Sequence, residues 1–147
     1  MDALFSSTQI EFFKGPIWVT VSYVILYYLF MSNILFTKIR LKKEYKAKKM
    51  KFDRYFGQDR DMLAADRIQL NMLEHMPPFL ILMWLCAFVV SPLEATIYGG
   101  IYTGSRAIYP FIVGKSMGML IPMRILFVTV TGYLMLFILA IRIIQHL

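Results

Sequence analysis

The sequence predicts an all-α integral membrane protein built as a four-helix bundle, and three observations carry that prediction. Apolar residues make up 59% of the 147 residues and mean hydropathy is +0.60, against roughly 45–50% apolar in soluble domains. These residues fall in blocks of about twenty, the length that carries a helix across a bilayer core. No block alternates with the two-residue period of a strand for long enough to suggest a barrel. Lipid admits only helices and closed barrels, because every backbone polar group must find a partner within the protein. The chain reads as one membrane domain, residues 1–147.

The first helix is expected at about residues 17–37, "IWVTVSYVILYYLFMSNILFT". Gly15-Pro16 precedes it, and Trp18 near its start suits the membrane interface. The segment begins late and is too long for a signal h-region, so an uncleaved anchor is expected. A basic loop follows at 38–61. Ten of the sixteen lysines and arginines lie between Lys38 and Arg60, so the net charge of +7 marks one loop. That concentration excludes a general nucleic-acid-binding surface. The second helix is expected at about 62–90, the third at 93–113 after the turn "SPLE", and the fourth at 121–144, where Pro122 suits a first turn. The connection between helices 2 and 3 carries no Lys or Arg, whereas the third connection contains Lys115 and ends near Arg124. The positive-inside rule therefore predicts that the first and third loops are cytosolic. One cysteine, Cys86, lies inside an apolar run and suggests neither a disulfide nor a metal site.

Two polar stripes interrupt this pattern. At about 100° per residue, Arg67, Asn71 and Glu74 fall within roughly 60° of one another on helix 2. Gln69 points roughly 200° from Arg67, which suits a cleft belonging to a neighbouring subunit. On helix 3, Tyr98, Tyr102, Arg106 and Tyr109 follow at steps of four, four and three. Glu74 is the expected counter-charge of Arg106. Arg40 after helix 1 and Arg124 at the start of helix 4 belong to the same end of the bundle. An ionised side chain in hydrocarbon is costly, so such a set marks either buried ion pairs that fix packing or a functional site. Arginine forks would hold carboxylates, a glutamate an ammonium, and Asn and Tyr amide groups. A small peptide-like polyanion such as glutathione fits that inventory. A nearby arginine would lower its thiol pKa and favour the thiolate. His75 adjoins Glu74 on another face and reads as a packing residue. Gly100 and Gly104 have GxxxG spacing, which suits a helix contact.

The segment "RIQLNMLEHMPP", residues 67–78, resembles the R-x-x-x-N-x-x-E-x-x-P signature of the MAPEG family, membrane-associated proteins in eicosanoid and glutathione metabolism. Its glutamine resembles the leukotriene C synthase version. "IRLKK" after helix 1 is similar to the matching stretch of microsomal prostaglandin E synthase, "GSRAIY" to the G-x-R-x-x-Y or G-x-R-x-x-H segment of helix 3, and "IPMR" to the P-x-R start of helix 4. The resemblance spans about residues 17–144. It implies a homotrimer with glutathione held between subunits near the cytosolic face, and an endoplasmic reticulum location. It implies Arg67, Asn71, Glu74, Arg106 and Tyr109 as glutathione contacts, with Arg40 and Gln69 reaching in from the neighbour. Arg124 would be the catalytic residue that stabilises the thiolate for attack on a lipophilic electrophile. The chain departs from many members at Val113, where a second tyrosine is common, and in Pro110 after Tyr109. Those departures motivate the alternative expectation of a non-catalytic, lipid-binding or scaffolding member.

Overall fold

The computed structural model describes residues 7–114 and 123–147, with the backbone alone for 7–9 and 123–124. Four helices account for nearly all of it: α1 (Ser7–Ala47), α2 (Arg60–Val89), α3 (Pro92–Val113) and α4 (Met123–Ile144). Three of them, α1, α2 and α4, are long and apolar enough to cross a membrane. Helix α3 is interrupted along its length by Glu94, Arg106, three glycines and three tyrosines. Its polar groups turn inward: Tyr102, Ser105, Arg106 and Tyr109 are all buried. Helices α2 and α3 form the centre and touch each other and both flanking helices. Helices α1 and α4 do not meet among the described residues.

Helix α1 runs past both of its expected ends. Gly15-Pro16 reads as a boundary in sequence, yet Pro16 lies buried within the helix. A proline deletes one backbone donor and does not by itself end a helix that packing holds. At the other end, Lys38–Ala47 are helical, although a loop was expected from Lys38 onward. Lys, Arg, Leu, Glu and Ala are all good helix formers, so the run of charge marks water and not irregular backbone. A small satellite core of Leu41, Met62 and Ala65, with Tyr45 and Phe52 against it, fastens this extension to the start of α2.

Local chemistry sets the other boundaries. Asp59 caps α2 by accepting from the Asp61 and Met62 amides. Ser91 caps α3 through the Leu93 amide, with Pro92 at a position that needs no donor. The Ser91 turn brings α3 back antiparallel to α2. Gly99 then permits a close crossing, since a Cβ there would lie 2.9 Å from Met83 Sδ and 3.0 Å from Val19 Cγ1. Phe79 is packed between Tyr23 and Tyr102, its ring centroid 4.9 Å from the first and 4.1 Å from the second. This cluster joins α1, α2 and α3 at mid-bundle. The Tyr23 hydroxyl, otherwise stranded in the core, donates to the Met72 carbonyl at 2.9 Å.

Candidate functional site

The turn at Ser91 places the polar stripe of α3 against that of α2, and Arg106 and Asn71 meet between them. Arg106 is only 1% exposed, the largest fully buried side chain among the described residues. Its Nη1 donates to Asn71 Oδ1 at 2.6 Å. Its guanidinium carbon stands 4.9 Å from the centroid of the Tyr102 ring, one helical turn away. Helix α4 provides the space on the remaining side. A Cβ added at Gly132 would collide with Arg106 Nη2 and would lie 3.1 Å from its Cζ.

This arginine is only partly satisfied. Its Nε and Nη2, and the hydroxyl of Tyr102, are buried without a hydrogen-bond partner. A guanidinium stays protonated in proteins, so it cannot escape the interior by losing its charge. Leaving a buried donor unmatched costs about 1–3 kcal/mol, and more when it is charged. An acceptor placed between α2, α3 and α4, a water or an anion, would satisfy these groups.

The expected partner is not that acceptor. Glu74 was expected to pair with Arg106, but Arg106 bonds to Asn71, and Glu74 is exposed on the outer surface of the protomer. Arg67 is exposed beside it, and neither makes a salt bridge among the described residues. The reason is rotational. Asn71 sits at the inner edge of the 60° stripe and points into the bundle, while Arg67 and Glu74 occupy its outer edge. The stripe straddles the edge between the bundle's interior and its exposed surface. Around the two charges the surface is greasy: Leu63, Leu70 and Leu73 are all exposed. Glu74 lies fourteen residues from the start of α2, about 21 Å along a helix about 45 Å long. That depth falls within a hydrocarbon core of about 30 Å centred on the helix.

The remaining expected residues scatter around this centre. Tyr109 is buried in the main core three residues beyond Arg106. Gln69 Nε2 lies 3.4 Å from the Tyr27 hydroxyl and links α2 to α1. Arg40 pairs with Asp61 at 2.7 Å and with Glu44 at 3.4 Å. It borders a groove of about 1040 Å³ between α1, α2 and α3, whose walls include Leu29, Phe30, Ala65, Pro110 and Phe111. The positions of Tyr27 and Arg40 on α1 differ by about 140°, so Gln69 and Arg40 do not converge within one protomer. Arg124 begins α4, but its side chain lies outside the described residues. His75 packs edge-on against Tyr133, with ring centroids 5.1 Å apart, and joins α2 to α4.

One participant had no signal in the sequence, and another had a partial one. Gly132 sits in an apolar helix, and nothing there announces that its missing side chain houses a guanidinium. Tyr102 is visible in the α3 stripe, but its service as the platform beneath Arg106 depends on rotamer and packing.

The family model for the MAPEG family matches residues 16–145 of the chain. No curated protein and no solved structure matches it.

Proposed function

We propose that this chain, which belongs to the MAPEG family, is a membrane-bound glutathione-dependent transferase, or a related isomerase or peroxidase. Membership supports a membrane glutathione-related transferase or isomerase role in general. The finer reading places it with the microsomal glutathione transferases and prostaglandin E synthases, in the endoplasmic reticulum membrane. The observation that carries this reading is the buried Arg106 beside Asn71, with two guanidinium nitrogens still unpartnered.

Glutathione fits what the residues lack. Its carboxylates are the acceptors that Arg106 and Arg67 need, and its ammonium suits Glu74. Asn71 and Tyr109 would complete the amide contacts. Arginine is the right residue for this work, because its fork grips a carboxylate with two parallel hydrogen bonds. Bound glutathione supplies the thiol that attacks a lipophilic electrophile. The protein's own part is to fix the tripeptide, keep water out and lower the thiol pKa with positive charge. Arg124 is assigned that last task.

The position of Arg67 and Glu74 supports a homotrimer. Facing lipid, Glu74 near mid-membrane would cost a few kcal/mol, and Arg67, nearer the interface, less. A second copy laid over this face removes the cost and encloses the half of the site that one protomer leaves open. Arg40 and Gln69, which stand apart from the Arg106 centre of their own chain, are then the neighbour's contribution.

Calorimetric titration of glutathione into the purified trimer tests the proposal. Micromolar binding is expected, with a rise in thiolate absorbance near 240 nm that is lost in Arg124→Ala. Binding with no thiolate would favour the second reading, a non-catalytic lipid-binding or scaffolding subunit. The apolar groove between α1, α2 and α3 and the valine at position 113 favour that reading. Absence of binding would remove the glutathione proposal altogether. A panel of model electrophiles then separates conjugation from isomerisation and peroxide reduction.

A further inference from the structure

The unexpected helical extension of α1 builds something that a loop would not. Lys38, Lys42 and Lys46 are four residues apart on a continuous helix, so they line one strip at steps of about 6 Å. Lys49 then adopts a left-handed backbone, φ 56°, and ends the helix. The Met50 amide closes the turn on the Tyr45 carbonyl at 2.9 Å. Beyond this turn the chain returns along the helix and brings Lys51 and Arg54 to the same strip. The result is a cleft of about 430 Å³ whose polar lining is these five cations, with Met50 and Phe52 as its apolar wall.

The cleft is built and held. Phe52 packs edge-on against Tyr45, with centroids 5.4 Å apart, and belongs to the satellite core with Leu41 and Met62. Arg54 is clamped by both oxygens of Asp66 at 2.8 and 2.7 Å. The Tyr45 hydroxyl donates to Asp59 at 3.0 Å. Of the five cations only Arg54 has an acidic partner among the described residues. A flexible basic tail would spread its charges apart. Here four exposed lysines without an acidic partner among the described residues line one open cleft, and an anion among them would relieve their mutual repulsion.

We propose that this cleft binds the headgroup of an acidic phospholipid carrying more than one negative charge. Location and charge select that occupant. The cleft opens just past the apolar part of α1, at the depth of the phosphate layer, on the side that the positive-inside rule gives to the anionic cytosolic leaflet. Phe52 and Met50 offer the apolar flank that the upper acyl region of such a lipid requires. The site lies away from Arg106 and does not depend on the glutathione reading.

The test uses the full chain in an uncharged maltoside detergent at 0.15 M salt. Dioctanoyl phosphatidic acid and dioctanoyl phosphatidylcholine are titrated calorimetrically. The wild type should bind phosphatidic acid at least tenfold more tightly than phosphatidylcholine. Each lysine contributes about fivefold near such a surface. A K38Q/K42Q/K46Q variant should therefore lose about a hundredfold, while K38R/K42R/K46R keeps its affinity within about threefold. The charge-matched control K43Q/K48Q/R60Q removes three cations outside the cleft lining and should also stay within about threefold. Thermal melts establish that each variant is folded. If the cleft variant does not fold, K42Q alone should cost about fivefold and K43Q less than twofold. Equal losses in cleft and control variants, or no preference for phosphatidic acid, would overturn the proposal in favour of a diffuse basic belt.

Discussion

One end of the bundle and its middle each hold a glutamate and an arginine of comparable reach, and they use them in opposite ways. At the far end Arg142 grips Glu94 with two hydrogen bonds of 2.7 Å, and its Nη1 also donates to Gln145 at 3.1 Å. Glu94 is in the first turn of α3 and Arg142 in the last turn of α4, so each also opposes the dipole end on which it sits. The pair ties α3 to α4 and has nothing left to offer. In the middle of the bundle Arg106 has an amide for a partner, two nitrogens without a partner among the described residues and no carboxylate, while Glu74 and Arg67 stand apart on the outer surface. A closed ion pair is a fastener. Under the proposed function, the unmatched Arg106 is where a ligand's counter-charge would sit.

Substitution should break this contrast in opposite directions. Arg106→Met removes a buried, half-satisfied charge and keeps most of the volume. Glutathione affinity should fall by about 3 kcal/mol or more, more than a hundredfold, because two charge-assisted hydrogen bonds are lost. The thermal midpoint without glutathione should hold or rise, since apolar replacement of an imperfectly paired buried charge is often neutral or stabilising. A clear fall in that midpoint with unchanged affinity would make Arg106 a packing element and undo the comparison. Gly132→Ala is a finer probe. The new methyl must displace Arg106 Nη2, so affinity should fall about tenfold, with a stability loss of about 1–3 kcal/mol for overpacking. Gly100→Ala serves as its control, because a Cβ there meets nothing within 4 Å in the protomer.

The same contrast explains what the sequence could reveal. Four apolar blocks yield four helices in order, because bilayer thickness and backbone satisfaction leave few alternatives. The stripes on α2 and α3 follow from helical periodicity, and so does the likeness of residues 67–78 to a family signature. The identity of the group that meets Arg106 does not follow. Asn71 and Glu74 differ by about 60° around α2, and a modest rotation of that helix exchanges them. The C-terminal end of α1 differs from its expected position for another reason: lysines report exposure to water, and a helix extending into water looks in sequence like a loop. The fastener between Glu94 and Arg142 joins positions 48 residues apart, which no local pattern links.

Glu94→Gln tests the closed end. The pair is about one-third exposed, 34% for Arg142 and 27% for Glu94, so screening keeps its worth to about 1 kcal/mol. The midpoint should drop by a few degrees, and glutathione affinity should not change, which separates fastening from binding at a matched chemical alteration. Loss of affinity in this variant would mean that the end and the middle communicate through α3 and α4.

The smallest effect is expected where the basic end is held in shape. Asp53 Oδ1 accepts from the amides of Phe56 and Tyr55 at 2.9 and 3.0 Å, and these bonds hold its carboxyl below the usual carboxylate value. A depressed folded pKa stabilises the turn above the unfolded value of about 3.9, and that contribution disappears as pH falls through the folded value. Limited proteolysis between Lys49 and Gln58 should therefore proceed at one rate from pH 8 to 5, in a protease active across that range, and accelerate only below about pH 4. Asp53→Ala should show the faster rate at every pH. Because Lys51 and Arg54 flank this turn, the same variant should weaken phosphatidic acid binding about twofold and leave glutathione affinity unchanged. A change in glutathione affinity would mean that the lipid cleft and the Arg106 centre are one site, and that the basic end is a single receptor.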